Sequence, residues 1–289
     1  MVSVVYEAPD SVQGAVALLA GAKIPARPLA GGTDLIIQLQ AQKNEPCLVV
    51  DLKKISELME STLDEEGLHL GPGMACAEFF SRDDIRSVYP GLVEAAQLIG
   101  STQVQGRASV GGNLCNASPA ADSIPALIAN SASCVIVGPS GERRIAIEDF
   151  VTGVGENCLG KGELVQVIEV PRPADGTSDA YLRFIPRTEM DIAVAGVGAS
   201  ITLDDDGTCA AARISLGAVA PTAILVPAAA QALIGTKVDD EALLVLADAA
   251  SAAAKPISDR RGTAEYRRHV VGVLAKRAAS TAAERARGN

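Results

Sequence analysis

The chain has 289 residues and a formal net charge of -10 at pH 7, and 48% of its residues are hydrophobic. This length can bury a sizeable core and allows one large domain or two to three compact ones. Because a phosphate backbone is bound by clustered lysine and arginine, the acidic balance and the 3% of aromatic residues argue against a nucleic-acid partner. An anionic ligand therefore has to be met by local backbone dipoles.

The cysteines and the N-terminus both favour a location in the cytoplasm. No cysteine pair has CxxC spacing, and most cysteines lie in apolar surroundings, which predicts buried free thiols, not a zinc or iron–sulfur ligand set. Any such centre is expected on another chain. The N-terminus lacks a secretion signal and no apolar run could cross a bilayer, so we expect a cytoplasmic protein without a membrane span. The cysteines are Cys47, Cys76, Cys115, Cys134, Cys158 and Cys209.

The opening segment predicts a βαβαβ unit, because short apolar strands alternate with two helices. Its strands are expected to be parallel. A Gly-Gly turn separates the second strand from the second helix. In chain order we predict a strand over Val2–Tyr6, a helix over about Val12–Leu19 capped by Ser11, a strand over Arg27–Ala30, a helix over Leu35–Leu39 and a strand over Cys47–Leu52.

From about residue 55 the pattern changes, and glycine and proline signals separate strands that predict a mixed or antiparallel second sheet. Pro171–Gly176 has the composition of a linker, and we place a boundary there. The elements predicted before it are helices from about Ala77 to the break at Tyr89 and over Leu92–Ile99, and strands over Cys134–Val137, Arg143–Ile147 and Leu164–Val170.

The last part of the chain predicts three strands followed by three helices, a small α+β unit. Asp204–Gly207 is a strong hairpin signal between the second and third of these strands. The elements are strands over Tyr181–Ile185, Ala193–Leu203 and Cys209–Val219, and helices over Pro227–Leu233, Asp239–Ala254 and Ala264 to about Arg285.

Two glycine-containing segments are the best candidates for a ligand site. In Ser109–Asp122 paired glycines let backbone N–H groups approach a phosphate, while serine and asparagine side chains offer uncharged donors. A similar turn, Leu29–Asp34, also opens into an apolar helix. Two such turns predict one extended ligand held at two points. Asp122 precedes the apolar run Ile124–Ile128 and is interpreted as a helix N-cap, a role compatible with a contact to a ribose.

Other chemistries find little support in the sequence. Neither glycine turn has the GxGxxG spacing of a Rossmann fingerprint, and Gly160–Gly162 lacks the spacing and hydroxyl residue of a Walker A loop. No Ser/His/Asp or Cys/His set can be assembled. A redox cofactor would not need one, since the cofactor carries the reaction while the protein orients and tunes it.

Together these motifs resemble one family over almost the whole chain: the FAD-binding medium subunits of molybdenum hydroxylases. The family includes xanthine dehydrogenase and carbon monoxide dehydrogenase. The resemblance rests on the order of the two glycine turns and on four stretches, Leu29–Leu35, Arg107–Leu127, Met190–Ala193 and Ser258–Arg267.

The resemblance implies an α+β fold. It consists of a two-part FAD-binding domain of the vanillyl-alcohol-oxidase (PCMH) type, followed by a small C-terminal domain with a three-stranded antiparallel sheet and a helix bundle. We expect an N-terminal α/β subdomain over residues 1–57, a second α+β subdomain over 58–175 and the C-terminal domain over 176–289.

In the resembled family both glycine turns wrap the FAD pyrophosphate, so site residues carry over by position. The first turn would contribute Leu29, Ala30, Gly31, Gly32, Thr33, Asp34 and Leu35. The second would contribute Ser109, Gly111, Gly112, Asn113, Asn116, Ser118 and Asp122, flanked by Ile99, Gly100, Val104 and Ala108. Leu164 or Val165 would pack near the flavin or adenine end, and Arg183 and Ile192 would lie near the isoalloxazine.

The function implied by the resemblance is electron transfer within a complex. A large molybdopterin-binding subunit would oxidise the substrate, a small [2Fe-2S] subunit would relay electrons, and FAD on this chain would pass them to NAD, oxygen or a quinone. A dimer of heterotrimers is expected. The alternative is a self-contained vanillyl-alcohol-oxidase-type flavin oxidoreductase, which would need its own acid/base groups over the flavin.

Overall fold

The computed structural model describes residues 4–41 and 45–288, so the start of the first predicted strand lies outside the described residues. The N-terminal unit consists of β1 (Val4–Glu7), α1 (Val12–Gly21), β2 (Ala26–Leu29), α2 (Leu35–Ala41) and β3 (Cys47–Asp51). Its strands pair in parallel in the order β1–β3–β2, which confirms the βαβαβ prediction. The Ser11 hydroxyl accepts the Gly14 N–H at 3.3 Å and caps α1 as predicted.

The second unit is built on a five-stranded sheet in the order β4–β5–β10–β6–β7, in which every described pairing is antiparallel. Its strands are β4 (Ser61–Leu63), β5 (Gly67–Leu70), β6 (Ser133–Gly138), β7 (Gly141–Ala146), β8 (Val151–Gly153), β9 (Glu156–Asn157) and β10 (Leu164–Pro171). Its helices are α3 (Cys76–Phe80), α4 (Asp83–Val88), α5 (Pro90–Gln97), α6 (Thr102–Gln105), α7 (Val110–Asn116), α8 (Ser123–Ala129) and α9 (Ile147–Phe150), with a 3-10 turn at Ser56–Leu58. The short strands β8 and β9 form a separate hairpin.

One predicted helix, from about Ala77 to Tyr89, is divided in the structure into α3 and α4. The Ser81 hydroxyl donates to the Glu78 carbonyl at 2.8 Å, and the backbone is extended at Arg82. Serine bonds of this kind compete with the helical backbone ladder, so the helix ends and a new one begins at Asp83.

The C-terminal unit contains a four-stranded antiparallel sheet in the order β11–β12–β13–β14, so the prediction of three strands was one short. The additional strand has only two residues, too few for an alternating pattern to be recognised. The strands are β11 (Thr177–Phe184), β12 (Ala195–Leu203), β13 (Cys209–Gly217) and β14 (Ile224–Leu225), and the helices are α10 (Pro227–Gln231), α11 (Asp240–Ala253) and α12 (Ala264–Ala286).

Close packing joins the second unit to the C-terminal sheet. Helix α8 lies against β12 at Gly198, where a Cβ would stand 2.4 Å from the Pro125 carbonyl oxygen. Only glycine permits this approach. The second contact is polar: the buried carboxylate of Asp179 on β11 accepts the backbone N–H groups of Gly91 at 2.8 Å and Leu92 at 3.0 Å. A residue of the C-terminal unit therefore caps α5 of the second unit.

Candidate functional site

A cleft of about 920 Å³ runs between the N-terminal unit and the second unit, and both glycine segments line it. Fifteen of the predicted site residues lie on its wall. They are Ala30, Gly31, Gly32, Thr33, Asp34, Leu35, Ile99, Ala108, Ser109, Gly111, Gly112, Asn113, Asn116, Leu164 and Val165. The structure thus brings together two segments that are about 75 positions apart in the sequence, as expected for one extended ligand.

Seven predicted site residues do not line this cleft: Leu29, Gly100, Val104, Ser118, Asp122, Arg183 and Ile192. Two of them pack against glycines of this region. The Leu29 side chain would lie 2.9 Å from a Cβ on Gly32, which has a φ of +81°, and Val104 would lie 2.6 Å from a Cβ on Gly100. Leu29 thus packs behind the first glycine turn, and Val104 packs against Gly100, outside both turns.

The glycines of the two segments have different tasks. A Cβ on Gly31 would stand 1.7 Å from the Arg107 carbonyl oxygen, and one on Gly111 would stand 2.4 Å from Pro72. Gly31 therefore packs against the backbone just before the second segment and brings the two segments together, whereas Gly111 packs the second segment against Pro72.

Gly112 is different, because within 4 Å an added Cβ would meet only the Ser109 hydroxyl, at 3.0 Å, in the part of the chain that the structure describes. Since Gly112 lines the cleft, a larger side chain there would occupy space that belongs to a ligand. The Gly112 N–H itself donates to the Ser109 hydroxyl oxygen at 3.0 Å, so Ser109 caps α7. This cap was not foreseen, although a serine directly before the first helical residue is its ordinary sequence signal.

The asparagines of the second segment are oriented by hydrogen bonds to their carbonyl oxygens. Asn113 Oδ1 accepts the Ser123 hydroxyl at 2.6 Å, and Asn116 Oδ1 accepts Nε2 of Gln38 at 3.0 Å. Within the described residues the Nδ2 groups of both asparagines make no hydrogen bond, which leaves them as donors at the cleft. The Gln38 bond also joins α2 to α7, and with them the two glycine segments.

Asp122 is not the N-cap that the sequence suggested. Its backbone is helical (φ -68°, ψ -38°) and its carboxylate makes no capping bond. The carboxylate instead accepts the Arg183 guanidinium at 2.6 Å and the Tyr181 hydroxyl at 2.9 Å, both from β11. Burial raises the pKa of Asp122 to about 6, although Arg183 and Tyr181 oppose the shift.

Arg183 is buried with Asp122, at 7% and 8% side-chain exposure, and its Nε finds no hydrogen-bond partner in the described part of the chain. A buried donor without a partner is costly, so the Arg183–Asp122 pair is retained at this cost. The contribution of Tyr181 was missed by sequence reasoning. Its signal was present, since residues two apart on a strand project to the same face.

Cationic residues at the cleft were also missed, because the overall charge of the chain is negative. Lys23, Arg27 and Lys161 belong to its wall. The Lys161 ammonium donates to the Ala22 carbonyl at 2.9 Å and so connects the two units across the cleft. Asp34 also lies on the wall, and burial raises the pKa of its carboxyl group.

All six cysteines are free, as predicted, but Cys115 and Cys158 are only partly buried, and Cys115 lies on the cleft wall. Among residues 4–41 and 45–288, no cluster of three or more His, Cys, Asp or Glu side chains could hold a metal ion. In the same ranges no helix is long and apolar enough to cross a membrane.

The site defines a class of protein. Backbone glycines, free amide donors and cations line an extended cleft, and the space in front of Gly112 is open to a ligand. This donor set fits a long anionic cofactor such as a dinucleotide, held by backbone groups and dipoles without a Rossmann fingerprint.

Residues 2–173 match the family described as the FAD binding domain in molybdopterin dehydrogenase. Residues 180–282 match the CO dehydrogenase flavoprotein C-terminal domain. The chain therefore belongs to the FAD-binding medium subunits of molybdenum hydroxylases, its cofactor is FAD, and it is a subunit of an oxidoreductase. This confirms the resemblance found in the sequence and the predicted fold class, apart from the fourth strand of the C-terminal sheet.

Individual relatives agree with this assignment. The carbon monoxide dehydrogenase medium chain of Afipia carboxidovorans is 34% identical over 98% of this chain and 97% of its own length. The xanthine dehydrogenase FAD-binding subunit of Escherichia coli O157:H7 is 30% identical over 91% and 90%. In the solved carbon monoxide dehydrogenase from Hydrogenophaga pseudoflava, one chain superimposes with a TM-score of 0.93 at 34% identity, covering 98% of both chains.

Proposed function

We propose that this chain is the electron-transfer subunit of a heterotrimeric molybdenum hydroxylase. It receives electrons from the [2Fe-2S] clusters of a small subunit, after a large molybdopterin-binding subunit has oxidised the substrate, and it passes them to an external acceptor. NAD, oxygen and a quinone are the candidate acceptors, and the complex is a dimer of heterotrimers. The cleft lined by both glycine segments is the observation that carries the proposal.

The residues of the cleft would bind FAD through complementary roles. Backbone groups around Gly32 and Gly112 approach the pyrophosphate, the free amides of Asn113 and Asn116 donate to its oxygens or to the ribose, and Lys161 offsets negative charge. Leu164 and Val165, both buried at the cleft, supply an apolar wall for one ring system. When bound, FAD supplies the redox chemistry, exchanging electrons with donor and acceptor.

Beyond the cleft, we assign Arg183, Asp122 and Ile192 to the flavin end of the site, together with the flanking Ser118. Asp122 holds the Arg183 guanidinium in place and so fixes a positive charge near this end of the site. Ile192 is 52% exposed and is free to approach the ring. Leu29, Gly100 and Val104 shape the turns in this proposal.

The test is purification of the native complex through a tag on this chain, with molybdenum, iron and FAD measured per chain. We expect the three in a fixed ratio, and we expect the chain alone to bind FAD but to leave N-heterocycles, purines and aldehydes unoxidised. Substrate turnover by the isolated chain would instead support a self-contained flavin oxidoreductase. A tagged chain that carries FAD but neither metal would contradict the heterotrimer.

A further inference from the structure

A lysine lies behind the first glycine turn, outside the wall of the cleft. The Lys53 ammonium donates to the Ala30 carbonyl oxygen at 3.4 Å, and Ala30 lines the cleft. Lys53 itself is partly exposed and does not belong to the cleft wall. A ligand in the cleft is therefore influenced by Lys53 through the turn, not by direct contact.

The parallel sheet of the N-terminal unit places Lys53 beside this turn. Strand β2 ends at Leu29 and β3 ends at Asp51, and these two residues pair across the sheet. The Leu52 N–H donates to the Leu29 carbonyl at 3.0 Å, which keeps the two segments together beyond the strand ends. Ala30 and Lys53 thus leave the sheet side by side at its carboxyl edge, the edge at which ligands bind in open α/β sheets.

A buried carboxylate fixes the position of the ammonium. Asp51 is 6% exposed, and its Oδ1 accepts both the Lys53 ammonium at 2.6 Å and the Lys53 backbone N–H at 3.0 Å. The other carboxylate oxygen accepts the Tyr6 hydroxyl from β1. Burial by itself would raise the pKa of Asp51, but hydrogen bonds from Lys53 and Tyr6 hold that pKa below its ordinary value. The carboxylate is therefore ionised at neutral pH, and it holds the ammonium in place before any ligand binds.

The contact with Lys53 orients one peptide group of the turn. In a trans peptide the carbonyl and the N–H point in opposite directions, and the described residues contain no cis peptide bond. Because Lys53 holds the Ala30 carbonyl, the Gly31 N–H of the same peptide is directed away from Lys53. A cation at the carbonyl also polarises the peptide group, which makes its N–H a stronger donor.

The backbone N–H groups of the turn are available to a ligand. Within residues 4–41 and 45–288, the N–H groups of Gly31, Gly32, Thr33 and Asp34 donate to no acceptor. All four residues line the cleft. Successive backbone N–H groups without partners form a concave site for anions. The orientation of the first peptide in this run therefore affects how well the turn receives a phosphate group.

We propose that Lys53 is a positioning residue for the cofactor, and that it orients the Ala30–Gly31 peptide so that the first glycine turn binds the pyrophosphate of FAD. The inference rests on the proposed function, because it takes the pyrophosphate to lie at this turn. Asp51 acts one step further back by holding the ammonium. Lys54 is exposed, and its side chain makes no hydrogen bond or ion pair with the described residues, so it provides the matched control.

The experiment measures FAD affinity by fluorescence titration of the full chain after its FAD has been removed. Wild type is compared with Lys53→Met, which removes the ammonium, with Lys53→Arg, which keeps a cation, and with Lys54→Met. ADP carries a pyrophosphate but no flavin, and its affinity is measured by displacement of FAD. We expect about tenfold weaker binding of both FAD and ADP in Lys53→Met, and recovery to within about threefold of wild type in Lys53→Arg. Lys54→Met should bind both ligands as wild type does.

A double-mutant cycle tests whether Asp51 acts through Lys53. Asp51→Asn keeps the shape of the side chain but removes the charge that holds the ammonium, so FAD binding should weaken. The double variant Lys53→Met/Asp51→Asn should bind FAD no more weakly than Lys53→Met alone, because both changes remove the same interaction. Circular dichroism without FAD shows whether each variant is folded.

The outcomes separate this inference from the proposed function. If the wild-type chain takes up no FAD, the proposed function fails and the positioning role fails with it. If wild type binds FAD and Lys53→Met binds it equally well, only the positioning role is overturned. The positioning role is also wrong if Lys53→Met weakens FAD binding but leaves ADP binding unchanged, if Lys53→Arg recovers nothing, or if the two single losses add up in the double variant.

Discussion

The cleft and the contact between the second and C-terminal units are built in opposite ways. The cleft wall is built largely from residues close together in the sequence, such as 30–35 and 111–113. The contact depends on buried charges that pair residues far apart, 61 positions in the case of Asp122 and Arg183. Small residues at the cleft leave room for a ligand, whereas the charges at the contact need their partners because water cannot reach them.

This contrast is tested most strongly within the cleft, by Gly111→Val. The valine Cβ would overlap Pro72, whose side-chain carbon and carbonyl oxygen would each lie only 2.4 Å away from it. Backbone cannot yield as a flexible side chain does, so we expect a loss of about 5 kcal/mol or more in the free energy of unfolding. Chemical denaturation without added FAD measures it. A loss below about 1 kcal/mol would show that Gly111 does not pack tightly against Pro72.

At the contact between units, Arg183→Ala should cost about 3–5 kcal/mol, because it leaves the Asp122 carboxylate buried without its cation. Urea unfolding at pH 7 measures the loss. The matched control is Arg260→Ala, whose arginine is exposed and should contribute within about 0.5 kcal/mol. Equal effects of the two changes would show that the buried pair has no special energetic role.

Gly112→Val distinguishes ligand space from packing. Among the described residues an added Cβ would meet only the Ser109 hydroxyl within 4 Å, so the folded chain should survive. In the proposed placement of FAD the valine would occupy space needed by the cofactor, and we expect about a hundredfold weaker FAD binding, equivalent to roughly 2.7 kcal/mol. Titration of the FAD-free chain by fluorescence gives the affinity. Full yellow flavin content in the purified variant would refute the placement of the cofactor.

Asp179→Asn has the smallest expected effect and a characteristic pH dependence. Burial raises the pKa of Asp179 to about 6 from its ordinary value of 3.8. Its contribution to stability is therefore present below about pH 4 and is lost as the pH rises through about 6. Asparagine does not titrate, so the variant lacks this pH-dependent contribution. The amount by which wild type is more stable than the variant should therefore fall by about 2 kcal/mol between pH 4 and pH 7.

Unfolding curves at both pH values provide the measurement, and Asp205→Asn, at the exposed hairpin tip, is the control. A difference that instead grows with pH would mean that the donors from Gly91, Leu92 and Asn130 outweigh burial and stabilise the ionised form. In that case the contact between the units would strengthen, not weaken, as the pH rises.

Short-range patterns in the sequence were enough to predict the order of strands and helices in the N-terminal unit, and they also predicted the two glycine segments of the cleft. The reason is that these features depend on local physics: apolar periodicity, capping by Ser11, and glycines where backbone has to come close. The same local patterns carried the resemblance to the family, and so the cofactor.

Features that depend on residues distant in the chain emerged only from the folded arrangement. Asp122 has the local appearance of an N-cap, yet Arg183 and Tyr181 on β11 take its carboxylate. The cations of the cleft wall could not be inferred from a chain of net charge -10, because Lys161 reaches the cleft only when its loop folds against Ala22. A buried charge is stable only beside its partner, and that partner is chosen by the packing of whole units.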